Sequence, residues 1–177
     1  SVGKTLTSAL TTWKRQGKIV HKMADYKESC LPGAALVIGA TDNERVNTQI
    51  ASDARNRGIP VNIVDEPALC DFILPSVVER GDLLLAVSTG GKSPALAAKL
   101  REDLEETFGP EYAVLVEILG KLRERVIAAG GSSAENRERF AAVVRSDILD
   151  QIRRKDWKRV REIIHSLTDV EMEVKPR

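Results

Sequence analysis

One carboxylate in this sequence stands at a position where chemistry is expected. Asp65 directly follows residues 59–64, an apolar run that predicts a buried strand of a parallel sheet. The carboxyl edge of such a sheet is where open α/β folds bind ligands, and a carboxylate there can accept a proton or bind a metal. The alternative is a turn-forming aspartate ahead of Glu66 and Pro67, which is ordinary turn chemistry. The residues alone leave both interpretations open.

Residues 88–94 form a second candidate, a Ser-Thr-Gly-Gly-Lys-Ser-Pro segment between a predicted strand and a predicted helix. Glycine N–H groups, a helix start and the Lys92 ammonium together suit a carboxylate or a phosphate. A nucleotide-hydrolysing P-loop is not indicated, because Ala86 stands where that motif needs its first glycine and Pro94 lacks an N–H. An ordinary strand-to-helix turn remains the alternative.

Other polar residues carry weaker signals. Thr41 and Asp42 follow the apolar run 35–40 at the same predicted sheet edge, and Thr41 with Glu44 matches a helix capping box. Neither of the two histidines has a further ligand-type residue at metal-binding spacing, so no metal site is expected. The two cysteines form no CxxC pair, and reduced thiols in a cytoplasmic protein are the simplest interpretation.

The composition limits the classes of function. Among 177 residues, 27 Lys and Arg against 26 Asp and Glu give a net charge of +1, which argues against a broad nucleic-acid-binding surface. With 42% hydrophobic and 30% charged residues, the chain is typical of a soluble globular protein. Its apolar runs are far shorter than the roughly 20 residues that a bilayer span needs, and no secretion signal opens the chain.

The elements that must position these residues alternate in the first half of the chain. Strands are predicted at 18–23, 35–40, 59–64 and 82–87, with the run 35–40 covered on both faces. The helix between the second and third strands makes a βαβ unit, so a parallel sheet and an α/β fold are expected.

The second half reads as helices. One is predicted through residues 112–126, and a last one from Trp157 to Leu167. Between them, a single helix opened by a capping box at residues 132–135 is predicted to bury one apolar stripe. That stripe consists of Phe140, Val144, Ile148 and Ile152. The tail after Thr168 is charged and is expected to fray.

Several of these motifs together resemble a known family. Ala40-Thr41-Asp42-Asn43, Val46-Asn47, the strand ending in Asp65, the segment 70–76 and Val87-Ser88-Thr89-Gly90-Gly91-Lys92-Ser93-Pro94-Ala95 look like the core of precorrin-2 dehydrogenases. These are the N-terminal modules of siroheme synthases, some of which are also sirohydrochlorin ferrochelatases. The resemblance covers about residues 6–126, and the order of the separate motifs makes it specific.

The resemblance implies an architecture and an activity. A Rossmann-like dinucleotide-binding α/β domain (1–72) is expected, followed by a dimerisation segment (73–108) and a helical C-terminal domain (109–177). The family works as a homodimer and oxidises precorrin-2 to sirohydrochlorin with NAD⁺. Bifunctional members then insert Fe²⁺ as a second substrate.

The resemblance also assigns residues. Asp65 matches the family's catalytic carboxylate, which assists proton removal. The residues matched to the cofactor are Leu6 and Thr7 near the adenosine end, and Thr41, Asp42 and Asn62 on the nicotinamide side. The residues matched to the loop that faces the tetrapyrrole are Ser88, Thr89, Gly90 and Lys92.

One departure from the family is clear. The family begins with a strand, a glycine-rich turn and a helix that hold the pyrophosphate, and no GxGxxG occurs here. The expectation is that about forty residues, one βαβ unit, are missing from the sequence and that this polypeptide alone binds NAD⁺ poorly. The function is therefore assigned to the intact protein. The alternative is a non-catalytic tetrapyrrole- or nucleotide-binding protein on the same fold.

Overall fold

The computed structural model describes residues 1–174, and the chain folds as two compact units, Ser1–Leu74 and a second that begins at Pro75. In the first unit, β1 (Val2–Gly3) and β2 (Lys22–Met23) pair in parallel on either side of α1 (Ser8–Arg15). The mixed α/β fold predicted from the sequence is confirmed.

The centre of the first unit is a second βαβ element. It consists of β3 (Val37–Gly39), α2 (Glu44–Asn56) and β4 (Val61–Ile63), with β3 and β4 parallel. Because side chains alternate along a strand, one face of this pair packs on α2. The buried apolar residues of this core are Leu31, Ile50, Ala51, Ala54, Val61 and Ile63.

Three predictions for the first unit need correction. The strand predicted at 18–23 is reduced to two residues, and the polar loop predicted at 26–33 contains Leu31, which is buried. The run 35–40 is not covered on both faces, because Ile38 and Leu36 each remain 51% exposed. The alternation of side chains explains this exposure: Ile38 points away from the face that α2 covers.

The second unit opens with an antiparallel hairpin. Strand β5 (Ser76–Arg80) pairs with β6 (Leu83–Val87) across a tight turn, and α3 (Pro94–Thr107) packs on the hairpin. The guanidinium of Arg80 donates to the carbonyl oxygens of Phe108 at 2.7 Å and Glu105 at 3.2 Å. These bonds satisfy carbonyls at the end of α3, which have no partner within the helix.

Four helices complete the second unit: α4 (Glu111–Ala128), α5 (Ser133–Arg145), α6 (Ile148–Arg154) and α7 (Trp157–Thr168). The capping box predicted at Ser132 and Glu135 is confirmed, since both reciprocal bonds form. The fully buried side chains of this helical core include Leu122, Val126, Val143, Ile148, Val160 and Ile164.

The single helix predicted between residues 132 and 152 is wrong. The Ser146 hydroxyl donates to the Val143 carbonyl at 2.7 Å and accepts the Ile148 N–H at 3.3 Å, so the chain breaks into α5 and α6. The break changes the buried face. Val143 is fully buried, whereas Val144, predicted to be apolar core, is 57% exposed.

The prediction of a frayed tail is also wrong as far as residue 174. Val170, Met172 and Val174 are all buried, and the carbonyl of Glu171 accepts a 2.6 Å hydrogen bond from Arg125. Apolar and charged residues alternate here, so an extended chain presents every second side chain to the core. Residues 175–177 of the predicted tail lie outside the described part of the chain.

No helix within residues 1–174 has the length and apolar character that a membrane crossing requires. The division into segments 1–72, 73–108 and 109–177 stays a prediction.

Candidate functional site

Asp65 lies in the turn that follows β4, with its side chain exposed. Its backbone has a φ of +62°, in the left-handed region that non-glycine residues seldom adopt. Among residues 1–174, no group forms a hydrogen bond or ion pair with the Asp65 carboxylate. The carboxylate is therefore available at the carboxyl end of the strand pair.

Backbone bonds hold this turn on both sides of Asp65. The Val64 N–H donates to the Gly39 carbonyl at 2.9 Å, which ties the turn to the end of β3. The Glu66 N–H donates to the Ile63 carbonyl at 3.2 Å, which closes the turn itself. A left-handed non-glycine residue costs about 1–2 kcal/mol and persists where its surroundings fix it.

A buried amide joins the two loops at this edge. Asn47, on the first turn of α2, is 4% exposed, and its oxygen accepts the Thr41 hydroxyl at 2.8 Å. Its NH₂ group donates to the Thr41 carbonyl at 3.1 Å and to Glu66 Oε1 at 3.0 Å. The loop after β3 is thereby connected to the residue that follows Asp65.

The predicted capping box at Thr41 is wrong. The N-cap of α2 is Asn43, whose side-chain oxygen accepts the Val46 N–H at 3.2 Å. Thr41 lies two residues earlier, and its hydroxyl is turned to Asn47 instead. Asp42, the neighbouring predicted residue, is exposed and binds no other residue in the described part of the chain.

Asn62 lies on β4, and the segment 70–72 covers its side chain. It is 7% exposed, and its NH₂ group donates to the Phe72 carbonyl at 2.9 Å. The Cys70 thiol, 3.4 Å from the same NH₂ group, also accepts the Ile63 N–H at 3.2 Å. In this structure Asn62 therefore fastens the segment 70–72 along β4, and its predicted contact with the cofactor stays a prediction.

Asp71 completes this fastening along the free edge of β4. Its carboxylate accepts Arg55 Nε at 2.9 Å and the Val61 N–H at 3.1 Å, while its own N–H donates to the Val61 carbonyl at 2.8 Å. The Arg55 hydrogen bond, followed by that of the Val61 N–H, lowers the pKa of the Asp71 carboxyl below its usual range. Asp71 thus occupies both backbone hydrogen-bonding groups of Val61 on the side of β4 that faces away from β3.

The predicted tetrapyrrole loop belongs to the second unit and closes on itself. The Thr89 hydroxyl accepts the Ser93 N–H at 3.1 Å, and the Gly90 N–H donates to the Ser88 hydroxyl at 3.2 Å. Ser93 is the N-cap of α3 with a proline following it, as predicted. Gly90 and Gly91 both have positive φ, which only glycine adopts without strain.

Some donors of this loop remain unpaired. Neither the Gly91 N–H nor the Lys92 ammonium has an acceptor among residues 1–174. Both are donors, and they lie at the start of α3, where the helix dipole favours negative charge. The loop therefore retains capacity to bind an anion.

Leu6 and Thr7, predicted near the adenosine end of the cofactor, lie on the connection between β1 and α1. Thr7 is the N-cap of α1, and its hydroxyl accepts the Leu10 N–H at 3.3 Å. The structure does not connect these two residues to Thr41 or Asp65 by any hydrogen bond within residues 1–174.

Asn47 and Glu66 are the residues of the edge to which the sequence had assigned no role. A signal for Asn47 existed: it occupies the helical stripe shared with Ile50, Ala51 and Ala54, where an apolar residue is expected. A polar side chain on such a stripe requires a hydrogen-bonding partner. No comparable signal distinguishes Glu66 from an ordinary turn glutamate.

The edge offers polar groups, mostly acceptors, suited to the ring end of a dinucleotide. The exposed Asp65, Asp42 and Thr41 provide carboxylates and a hydroxyl beside the last residues of β3 and β4. Carboxylates and hydroxyls of this kind hydrogen-bond the ribose and amide groups of such a ligand. Within the first unit, residues 1–74, no strand-to-helix turn carries the GxGxxG pattern for the pyrophosphate.

The described residues contain no candidate metal site, and a cavity of notable volume among them is lined by residues of the second unit. No group of three or more His, Cys, Asp or Glu side chains in residues 1–174 could hold a metal ion. A cavity of about 470 Å³ lies in the helical part of the second unit. It is lined by Arg125, Arg161, Glu162, His165, Glu171, Met172 and Glu173.

Two family models match the chain. One, described as putative NAD(P)-binding, spans residues 3–76, and the other, described as the sirohaem biosynthesis protein central segment, spans residues 80–107. The first includes Asp65 and all five residues predicted to contact the cofactor. The second includes the loop with Lys92.

Curated relatives agree with these models. The siroheme synthase of Nitrosospira multiformis is 36% identical over 147 residues, covering 83% of this chain and 31% of that protein. The siroheme synthase of Citrobacter koseri is 36% identical over 158 residues, covering 89% of this chain and 35% of the relative. The chain thus spans about a third of the length of these relatives.

A solved structure supports the fold. The protein named SirC, precorrin-2 dehydrogenase, superposes with a TM-score of 0.75 at 23% identity, over 96% of this chain and 81% of its own. The family models, the relatives and this structure therefore point to the same group of proteins. By these matches the chain is similar to siroheme synthases, and it shares the fold of the solved structure.

Proposed function

We propose that the protein containing this chain oxidises precorrin-2 to sirohydrochlorin with NAD⁺, in the biosynthesis of siroheme. The observation that carries the proposal is the unpaired Asp65 carboxylate, held in a left-handed turn at the carboxyl end of β4. The names of the siroheme synthase relatives and the NAD(P)-binding family model support the substrate and the cofactor.

The reaction removes two electrons and two protons from the macrocycle. When bound, NAD⁺ supplies the acceptor for one proton and both electrons, which leave together as a hydride. The second proton needs a base, and Asp65 is the proposed acceptor because its exposed carboxylate has no other partner within residues 1–174. The product then carries one more conjugated double bond.

The loop of residues 88–92 is the proposed binding site for the tetrapyrrole. Precorrin-2 and sirohydrochlorin carry several carboxylates around the ring, and the loop has donors without acceptors before a helix start, among them the Gly91 N–H and the Lys92 ammonium. Lys92 would bind one carboxylate through its ammonium, with Ser88, Thr89 and Gly90 shaping the loop around it.

The cofactor side is proposed for the first unit. Thr41 and Asp42 are exposed at the end of β3, which supports contacts with the nicotinamide half. Asn62 would contribute from β4, and Leu6 and Thr7 would lie towards the adenosine end. These assignments follow the family resemblance.

A second activity, insertion of Fe²⁺ into sirohydrochlorin, is proposed for the same edge. Metal insertion displaces two pyrrole N–H protons, which require a proton acceptor. The unpaired Asp65 carboxylate favours this activity, because it can accept those protons in turn. Fe²⁺ would enter as a substrate.

We also propose that the protein acts as a cytoplasmic homodimer. The outward face of the β5–β6 hairpin carries Val77 and Leu84, which are 39% and 57% exposed, and this supports a dimerisation segment at 73–108. The free thiols of Cys30 and Cys70 agree with a reducing compartment.

The test is an absorbance time course of the intact protein with precorrin-2, with and without NAD⁺. We expect the sirohydrochlorin spectrum to develop only with NAD⁺, and NADH to form in equal amount. Subsequent addition of Fe²⁺ or Co²⁺ measures chelation against the spontaneous rate. A folded, dimeric protein that binds the tetrapyrrole without converting it would instead establish the non-catalytic binding protein.

A further inference from the structure

The Asn47 side chain uses its entire hydrogen-bonding capacity at one point of the fold. Its oxygen accepts the Thr41 hydroxyl at 2.8 Å and the Thr41 N–H at 3.4 Å. Both hydrogens of its NH₂ group are donated, to the Thr41 carbonyl at 3.1 Å and Glu66 Oε1 at 3.0 Å. An amide has these four positions and no others, so a buried Asn47 is fully satisfied only in this arrangement.

The two partners of Asn47 lie in the loops that follow β3 and β4. Thr41 begins the loop after β3, and Glu66 directly follows Asp65. The Glu66 carbonyl accepts the Leu69 N–H at 2.9 Å, so the backbone and the side chain of Glu66 are both held. The left-handed residue Asp65 therefore lies between two hydrogen-bonded neighbours: Val64 donates to the Gly39 carbonyl, and Glu66 accepts from the Asn47 side chain.

We propose that Asn47 is a positioning residue for the reaction: by binding Glu66 and Thr41 together, it fixes the direction of the Asp65 carboxylate. This inference rests on the proposed function and deepens it. Asn47 lies beneath the edge, 4% exposed, so it acts through Glu66 and not by contact with the substrate. Misplacement of a reacting group by 1 Å costs about 100-fold in rate, which is why a buried bond can matter this much.

A polarity exchange tests the bond directly. Asn47→Asp keeps the shape and the acceptor for the Thr41 hydroxyl, but it loses the donor to the Thr41 carbonyl and places a carboxylate against that of Glu66. Glu66→Gln removes that repulsion, because the new amide can donate to the aspartate. We expect Asn47→Asp to lower kcat about 10- to 100-fold with the sirohydrochlorin Kd changed less than about twofold. The double variant Asn47→Asp, Glu66→Gln is expected to recover at least about tenfold of that loss.

A matched control separates positioning from stability. Ile50→Val, one turn further along α2, removes a buried methylene and destabilises the same helix without touching the hydrogen bonds. Its kcat is expected to stay within about twofold of the wild type at a temperature where all variants are folded. Hydrogen exchange provides the second readout: the Val64 and Glu66 amides should exchange faster in Asn47→Asp and recover in the double variant.

The outcomes are distinguishable. An active wild type with recovery in the double variant supports the role of Asn47. An active wild type whose folded Asn47→Asp variant keeps full kcat, or shows no recovery on adding Glu66→Gln, overturns it. If the wild type protects its Val64 and Glu66 amides from hydrogen exchange but never oxidises precorrin-2, the proposed function is overturned. The proposed role of Asn47 is overturned with it.

Discussion

The two candidate regions are built in opposite ways. At the edge of β3 and β4, hydrogen bonds connect residues that are far apart in sequence: Asn47 with Glu66, and Val64 with Gly39. In the loop of residues 88–93, bonds connect residues two to four positions apart, such as Thr89 with Ser93. The first region is held by the fold of its unit, whereas the second is held by its own turn.

The difference matches two chemical tasks. A carboxylate that accepts a proton must meet one atom of the substrate at a fixed distance, so its surroundings have to be rigid. A loop that receives a carboxylate needs unpaired donors and glycines that tolerate positive φ, and it can adjust as the anion arrives. We infer that the sheet edge controls the rate and the loop controls affinity.

The largest effect is expected from Asp65→Asn. Asparagine tolerates the left-handed backbone as well as aspartate does, so the turn persists while the base is lost. We expect kcat for precorrin-2 oxidation to decrease about 10²- to 10⁴-fold with little change in tetrapyrrole Kd. The control is Asp169→Asn, the same change at another left-handed aspartate with φ of +56°, where activity should be unchanged. A normal rate in Asp65→Asn would refute the assignment of the sheet edge to catalysis.

Lys92→Gln is expected to have a smaller effect, and to change the tetrapyrrole Kd more than kcat. Loss of one charge-assisted hydrogen bond costs about 1.5–3 kcal/mol, and the lower end applies to an exposed group, so the Kd should rise about tenfold. The value of kcat should change much less. Lys99→Gln, on the helix α3 that follows the loop and already paired with Asp103, is the matched control. Equal effects of both lysines on Kd would indicate general charge and not a site.

The smallest effect concerns Asp71, which supports the sheet edge from the side. Because the pKa of its carboxyl is lowered in the folded state, its stabilisation is present above the unfolded pKa of about 3.9 and is lost as the pH falls through the folded value. Asp71→Asn should therefore lower the Tm between pH 5 and 7, and the difference should disappear in more acid solution.

The control for Asp71 is Asp25→Asn. Asp25 pairs with Lys4, and both side chains are about three-quarters exposed, so the ion pair contributes little. Thermal denaturation of the three proteins across the pH range measures both changes. A Tm difference for Asp71→Asn that grows as the pH falls would contradict the lowered pKa.

Local signals in the sequence were sufficient for much of this molecule. Ser132 with Glu135, and Ser93 with Pro94, formed the helix starts predicted for them, because a cap depends only on residues within one turn. The position of Asp65 after β4 followed from the apolar run before it, for the same reason of short range.

Prediction failed where one polar group had more than one hydrogen-bonding partner within reach. Thr41 was expected to cap α2, but the buried Asn47 binds its hydroxyl and Asn43 caps the helix instead. Val144 was expected in the core, but the Ser146 hydroxyl interrupts the helix and turns Val143 inward. Which of two acceptors a hydroxyl chooses depends on packing that a local pattern does not contain.

The sequence by itself determined the central βαβ element and the helix starts at Ser93 and Ser132. The tertiary structure alone decided that Asp65 adopts a left-handed turn and that Asn47 bridges Thr41 to Glu66. It also decided that the alternating residues Val170, Met172 and Val174 return to the core. The physical reason is range: periodicity and capping act within a few residues, whereas a buried amide or a returning tail is satisfied only by partners that folding brings together.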